Sequence, residues 1–232
     1  MAGQTLIVQS PDGPFSAYVS RPAVAKGPAI VVIQEIFGVN AVMREIPDGL
    51  AGQGYLAVCP DLFWRIEPGI DITDKSEAEW KRAFELFNTF DVDKGVSDIG
   101  LVIDVVRQDA GCNGKVGSVG FCLGGLLAYL SATRTSIDAA VSYYGVGIET
   151  RLAEASGRTQ PLMLHIAEED QFVPRAAQDL ISGALGGLSA IVLHRYPGRN
   201  HAFARPGGEH FNAVDAQTAG ERSLAFFKAH LG

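Results

Sequence analysis

The sequence is poor in cysteine: Cys59, Cys112 and Cys122 are the only three in 232 residues. An odd, widely spaced set fits neither a disulfide framework nor a zinc-ligand pattern, so no metal is expected. Positive charge is also short. Nineteen Lys and Arg face 26 Asp and Glu, for a net charge of −7. Nucleic-acid binding needs a basic face, so that class is set aside. An anionic substrate would have to be drawn in by local arginines, because the overall field repels it. Long apolar runs are missing, none approaching the ~20 residues of a membrane span. The opening "MAGQTLIVQSPDG" lacks the basic start and apolar stretch of a secretion signal. The expectation is a cytoplasmic protein that meets neither membrane nor nucleic acid. Internal repeats and low-complexity segments are absent as well.

What is present is alternation. Short β-rich runs take turns with helix-like segments, which predicts a mostly parallel central sheet flanked by helices, an α/β class fold. "QTLIVQS" and "FSAYVS" flank "PDG" and predict an N-terminal β-hairpin. "AIVVIQ" (29–34) is a continuous apolar, β-branched run, the signature of a strand buried on both faces. "YLAVCP", "KVGSVGF", "AAVSYYG", "PLMLHIA" and "AIVLHRY" are further strands, and Cys59 within the first of them reads as a core thiol. Between 92 and 106, Val92, Val96, Ile99, Ile103 and Val106 recur at helical spacing. Residues 76–90 and 214–231 are also expected to be helical, and 60–75 and 197–212 to be loops. No linker interrupts the chain, so residues 1–232 are expected to form a single domain.

The chemistry centres on "KVGSVGFCLGGLLAYL" (115–130), where a strand runs through Gly-Phe-Cys-Leu-Gly-Gly into an apolar helix. An isolated Cys122 would read as a small core residue. At a strand-to-helix turn flanked by Gly120 and Gly124, it reads as a nucleophile on an elbow, with cysteine where serine is usual. The helix start also favours a thiolate. Such a nucleophile needs a base, and the base an orienting acid, in the chain order nucleophile, acid, histidine. "LHIAEEDQFVP" supplies Asp170 as the acid, with Glu168 and Glu169 as alternatives. "YPGRNHAFARP" supplies His201 as the base. His165 and His194 fall inside strands, and His210 and His230 lie in less suitable settings. Asp170 could instead cap the helix that begins near Val173–Pro174. A phosphate-binding loop is excluded, because "GFCLGG" has neither the Lys-Ser/Thr ending nor the three-glycine spacing.

"QEIFGVNAVMRE", "YLAVCPDLF", "GKVGSVGFCLGG", "YYGVG", "EEDQFVP" and "HAFAR" together resemble the dienelactone hydrolase (carboxymethylenebutenolidase) family over nearly the whole chain. The resemblance implies a cofactor-free, monomeric α/β-hydrolase fold enzyme that opens an unsaturated lactone to maleylacetate, in the breakdown of chlorinated catechols. It carries the triad onto Cys122, Asp170 and His201. It implies that Glu35 holds the resting Cys122 as a thiol until substrate displaces the carboxylate. It also implies an oxyanion hole from the backbone N–H groups of Leu123 and Ile36, a substrate-carboxylate contact at Arg205, and a pocket that includes Phe37.

The chain departs from the family at the helix before Phe90-Asp91. Trp80 stands where the family has a second carboxylate-binding arginine, and Phe84 and Phe87 stand where it has Tyr and Trp. Arg82 is two residues from position 80, roughly 200° around a helix. Ala202 follows the histidine in place of a frequent serine. The expected substrate is therefore a small ester or lactone with one carboxylate or none and more apolar bulk. A broader esterase or thioesterase remains open beside the lactonase. So does a non-catalytic thiol-sensing or binding protein, although such a protein has no need of both Asp170 and His201.

Overall fold

The computed structural model describes residues 3–157 and 160–232. The first two β-rich segments form the expected antiparallel hairpin. Strand β1 (Gln4–Ser10) pairs with β2 (Gly13–Ser20) in a register from Gln4↔Val19 to Ser10↔Gly13. Pro11 and Asp12 make the turn. Gly13 leaves it at φ +133°, a conformation that a side chain would resist. The chain divides into two compact units, Met1–Ser118 and Val119–Gly232. The division falls inside strand β5 (Cys112–Phe121).

In the first unit the strand order is β1-β2-β4-β3-β5, with β3 spanning Gly27–Ile33 and β4 spanning Leu56–Pro60. β2 and β4 are antiparallel, and β3 and β4 are parallel. Ala29 through Ile33 are all buried, as a β-branched run in a covered parallel sheet should be. Helices α1 (Ala41–Gly52), α2 (Glu77–Thr89) and α3 (Val92–Arg107) each begin at a side-chain cap: Asn40 accepts from Met43 N–H, Ser76 from Glu79 N–H and Asp91 from Lys94 N–H. Asp91 opens α3 directly after Phe90, the C-cap of α2. The α3 stripe holds: Val96, Ile99, Ile103 and Val106 are buried, and the helix packs on β1 and β3. Asp98 is buried on the same helix, held by Trp64 Nε1–H at 2.9 Å and by both ends of the Arg65 guanidinium. A buried carboxylate needs such partners to stay charged.

In the second unit the order is β5-β6-β7-β8, with β6 at Ala139–Tyr143, β7 at Leu162–Ala167 and β8 at Ile191–Tyr196. The β6–β7 and β7–β8 pairs are parallel, so their carboxyl ends share one edge. Helices α4 (Leu123–Arg134), α5 (Arg175–Leu185) and α6 (Ala213–Leu231) follow β5, β7 and β8. Every residue of α4 from Leu123 to Ala132 is buried, which explains why that segment is apolar all round rather than striped. Polar groups inside this unit are paired. His165 bonds Tyr196 Oη through Nδ1 (2.8 Å) and Ser223 Oγ through Nε2 (3.0 Å), and Tyr143 Oη also reaches Ser223 (2.7 Å). Burial lowers the His165 pKa well below the ordinary value and keeps it neutral. Among the described residues, no helix is long and apolar enough to cross a membrane, and no cluster of His, Cys, Asp and Glu could hold a metal ion.

Candidate active site

Cys122 occupies the turn between β5 and α4. Its backbone sits at φ 56°, ψ −116°, outside the regions that side-chain-bearing residues favour. Packing enforces this conformation. A Cβ added to Gly120 would lie 1.9 Å from Gly124 O, and one added to Gly125 would lie 2.6 Å from Tyr143 O. The turn closes through Cys122 N–H to Tyr143 O (3.1 Å), while Cys122 O accepts from Gly125, Leu126 and Val146 N–H groups. Leu123 is the first residue of α4, where N–H groups have no acceptor within the helix and the dipole favours negative charge.

The other two triad candidates follow β7 and β8, at the edge that parallel strands must share. Asp170 Oδ1 accepts from Phe172 N–H (2.8 Å) and Val173 N–H (3.1 Å). These bonds hold a turn before α5; they do not cap the helix, whose N-cap is Pro174 without a side-chain bond. His201 Nδ1 lies 2.8 Å from Asp170 Oδ2 and 3.0 Å from Oδ1. Cys122 lies close enough to the imidazole to raise its pKa. With Nδ1 on the carboxylate, Nε2 is the atom left to face the sulfur. Cys122, Asp170 and His201 are thus brought together by the second unit alone, and all three are buried. Glu168 turns away onto Arg195 (2.7 Å), and Glu169 is exposed.

Burial disfavours a charged His201, but the adjacent Cys122 charge and the bonds to Asp170 and Cys122 outweigh it. Its pKa is pushed up to about 10. An imidazole raised in this way beside a cysteine and oriented by a carboxylate is an arrangement that can activate a thiol nucleophile.

Several supporting residues carried no signal in the sequence. Asn200 Oδ1 accepts from His201 N–H (2.7 Å) and Gln171 N–H (3.1 Å), tying the acid loop to the base loop. The His201 ring meets Tyr144 edge-on at 5.0 Å and Phe172 at 4.8 Å. Among the described residues, the non-glycine positive-φ positions are Cys122, Tyr144 and Ala202, all at this site. Nothing in "GRNHAF" or "SYYG" distinguishes Asn200 or Tyr144 from other loop and strand-end positions. Arg205 lies on the same loop, half-buried, its N–H on Ala202 O at 3.0 Å.

The remaining candidates belong to the first unit. Gln34, Glu35, Ile36 and Phe37 follow β3 and are buried. Gln34 Oε1 accepts from Leu62 N–H (3.0 Å), which joins the ends of β3 and β4. Phe37 O accepts from Ile72 N–H (3.2 Å), and Asn40 Nδ2–H donates to Ile72 O (2.9 Å), so the 61–76 loop is strapped onto this turn. Trp80 packs edge-on against Phe37 (5.1 Å) and stacks on Phe84 (5.6 Å), with its indole N–H on Asp74 O. Phe87 is half-buried on the same helix. Arg82 is engaged by Glu67 and Glu85.

The profile of the dienelactone hydrolase family matches residues 15–231. The chain belongs to the dienelactone hydrolase family. It is a hydrolase of carboxylic ester or lactone bonds. A relative from Azospirillum brasilense is 51% identical over 224 residues, covering 95% of this chain and 96% of that one. The carboxymethylenebutenolidase of Pseudomonas putida is 42% identical over 227 residues, covering 97% and 96%. A crystal structure from Klebsiella pneumoniae subsp. pneumoniae superposes with a TM-score of 0.83 at 25% identity, covering 97% of this chain and 98% of that one. The fold is therefore the α/β-hydrolase fold that the sequence predicts.

Proposed function

We propose that this chain hydrolyses a small lactone or ester through a covalent thioester on Cys122, as a monomer in the cytoplasm. The observation that carries the proposal is the continuous Cys122–His201–Asp170 connection on a strained elbow. The thiolate attacks the carbonyl carbon, and the Leu123 N–H takes the developing oxyanion. The second donor is the Ile36 N–H, as the family resemblance implies. Collapse of the tetrahedral intermediate breaks the C–O bond, and His201 gives its proton to the departing alkoxide. In a lactone that alkoxide stays on the same molecule. Water then attacks the thioester, His201 takes its proton, and the thiolate is released. Asp170 holds the imidazole orientation through both steps. Glu35 is assigned the resting-state role that the resemblance gives it.

The substrate is a dienelactone-type ring or a less anionic relative of it. The first-unit geometry supports the second choice. Trp80, Phe37 and Phe84 form an aromatic cluster at the position to which the resemblance gives a cation, and the Arg82 guanidinium on the same helix is held by two glutamates. Arg205 is then the carboxylate-binding residue for a substrate bearing one such group. The test is hydrolysis of cis- and trans-dienelactone beside p-nitrophenyl acetate, with wild type and Cys122→Ala in parallel. Turnover of either substrate that vanishes in the variant supports the mechanism, and an active Cys122→Ala refutes it. Ester turnover without dienelactone turnover selects the more apolar substrate.

A further inference from the structure

Ser142 sits on β6, next to Tyr143. Side chains alternate along a strand, and Tyr143 points to α6, where it bonds Ser223. Ser142 therefore points to the opposite face. It is 1% exposed, and its hydroxyl has no hydrogen-bond partner among the described residues. A buried hydroxyl left this way costs about as much as a lost hydrogen bond, so a native fold normally supplies a partner.

The residue lines a small cavity with room for about one water molecule. Its lining includes the apolar Ile148, Leu164, Val173 and Ile181 and the polar Ser142, Tyr144, His165 and Asp170. Asp170 has acceptor capacity to spare. An ionised carboxylate offers about four lone-pair sites. Oδ1 takes Phe172 and Val173 N–H groups, and Oδ2 has its shorter contact with His201.

We propose that one buried water in this cavity links the Ser142 hydroxyl to the Asp170 carboxylate, which makes Ser142 a positioning residue for the triad. The serine O–H donates to the water, and a water O–H donates to the carboxylate. The bridge fixes the acid from the cavity side. This rests on the triad reading above. The other charged and titratable groups around Asp170 include His165, which lines the cavity and is bonded to Tyr196 and Ser223, and the exposed Glu169. His201 contacts it from the loop after β8, with Cys122 and Tyr144 behind. Glu168 from the flanking loop pairs with Arg175 of α5 and with Arg195 of β8, and the Arg199 guanidinium rests on Asp215.

A high-resolution crystal structure of the full chain is expected to show one water within hydrogen-bonding distance of both Ser142 Oγ and an Asp170 oxygen. A dry cavity, or a water reaching only one of them, overturns the proposal. Ser142→Ala is expected to lower kcat for p-nitrophenyl acetate about three- to tenfold with KM unchanged. An unchanged kcat would sink the idea. Ser142→Val fills the cavity and should lower kcat further; should it fail to fold, the water and the alanine variant still decide. The pH profile of Cys122 alkylation by iodoacetamide, read by mass spectrometry, separates the two readings. A shifted alkylation profile in Ser142→Ala supports the bridge even where wild type hydrolyses neither ester nor lactone, an outcome that overturns the functional reading alone.

Discussion

The turn after β5 and the turn after β3 both carry candidate chemistry, and they are built in opposite ways. The β5 turn is held by its own backbone. Gly120 and Gly125 leave no room for a Cβ, and the Cys122 carbonyl accepts from three nearby N–H groups. The β3 turn is held from a distance. Gln34 reaches Leu62, Phe37 reaches Ile72, and Trp80 packs on Phe37 from a helix some forty residues away. A turn fixed by its own atoms gives one geometry to the reacting group. A turn fixed by remote partners is where side chains can change and the substrate with them, while the nucleophile stays as it is.

The largest effect expected from breaking that contrast is at Gly120. Gly120→Ala puts a methyl against the Gly124 carbonyl, which is backbone and cannot move aside. It should cost on the order of 3 kcal/mol or more and abolish turnover, read by denaturant unfolding and by ester hydrolysis. Full stability with full activity would show that the elbow is not self-held. Next is His201→Asn, expected to reduce kcat by about 10⁴-fold if other triads are a guide. A loss below tenfold would remove His201 from the mechanism.

The charge pairing gives a prediction of its own. His201 is protonated below its raised pKa, so kcat should hold while the imidazolium persists and fall as pH rises through about 10. Cys122→Ala removes the charge that raises this pKa, so the imidazole should titrate lower in that variant, as NMR of labelled histidine would read. An unshifted titration would mean that the pair is not coupled.

Smaller effects belong to substrate recognition, at Trp80 beside the β3 turn and at Arg205 on the loop after β8. Trp80→Arg should raise kcat/KM for dienelactone about tenfold through KM and leave p-nitrophenyl acetate unchanged. Arg205→Ala should raise KM about tenfold for substrates bearing a carboxylate, with neutral esters unaffected. A change in the neutral ester in either variant would show that the two turns do not divide the work as proposed.

The triad was legible because each member carries a local mark. Cys122 stands among glycines at a strand-to-helix junction, and Asp170 and His201 each follow an apolar strand by a few residues. Asn200 and Ser142 carried none. An asparagine in a polar loop is unremarkable until its oxygen is found to join two loops 29 residues apart. A serine inside a buried strand gives no sign of facing a cavity beside the acid.

By itself, the sequence determined the order of strands and helices, the mostly parallel sheet, the hairpin and the chain positions of the candidate nucleophile, acid and base. These follow from local propensity, apolar spacing and glycine, which act over a few residues. Only the tertiary structure decided that His201 takes Asp170 rather than Glu168, that Arg82 is consumed by Glu67 and Glu85, and that Ser142 shares a cavity with the acid. Those are choices among equivalent side chains. They depend on distances between segments far apart in the chain, and no local rule contains them.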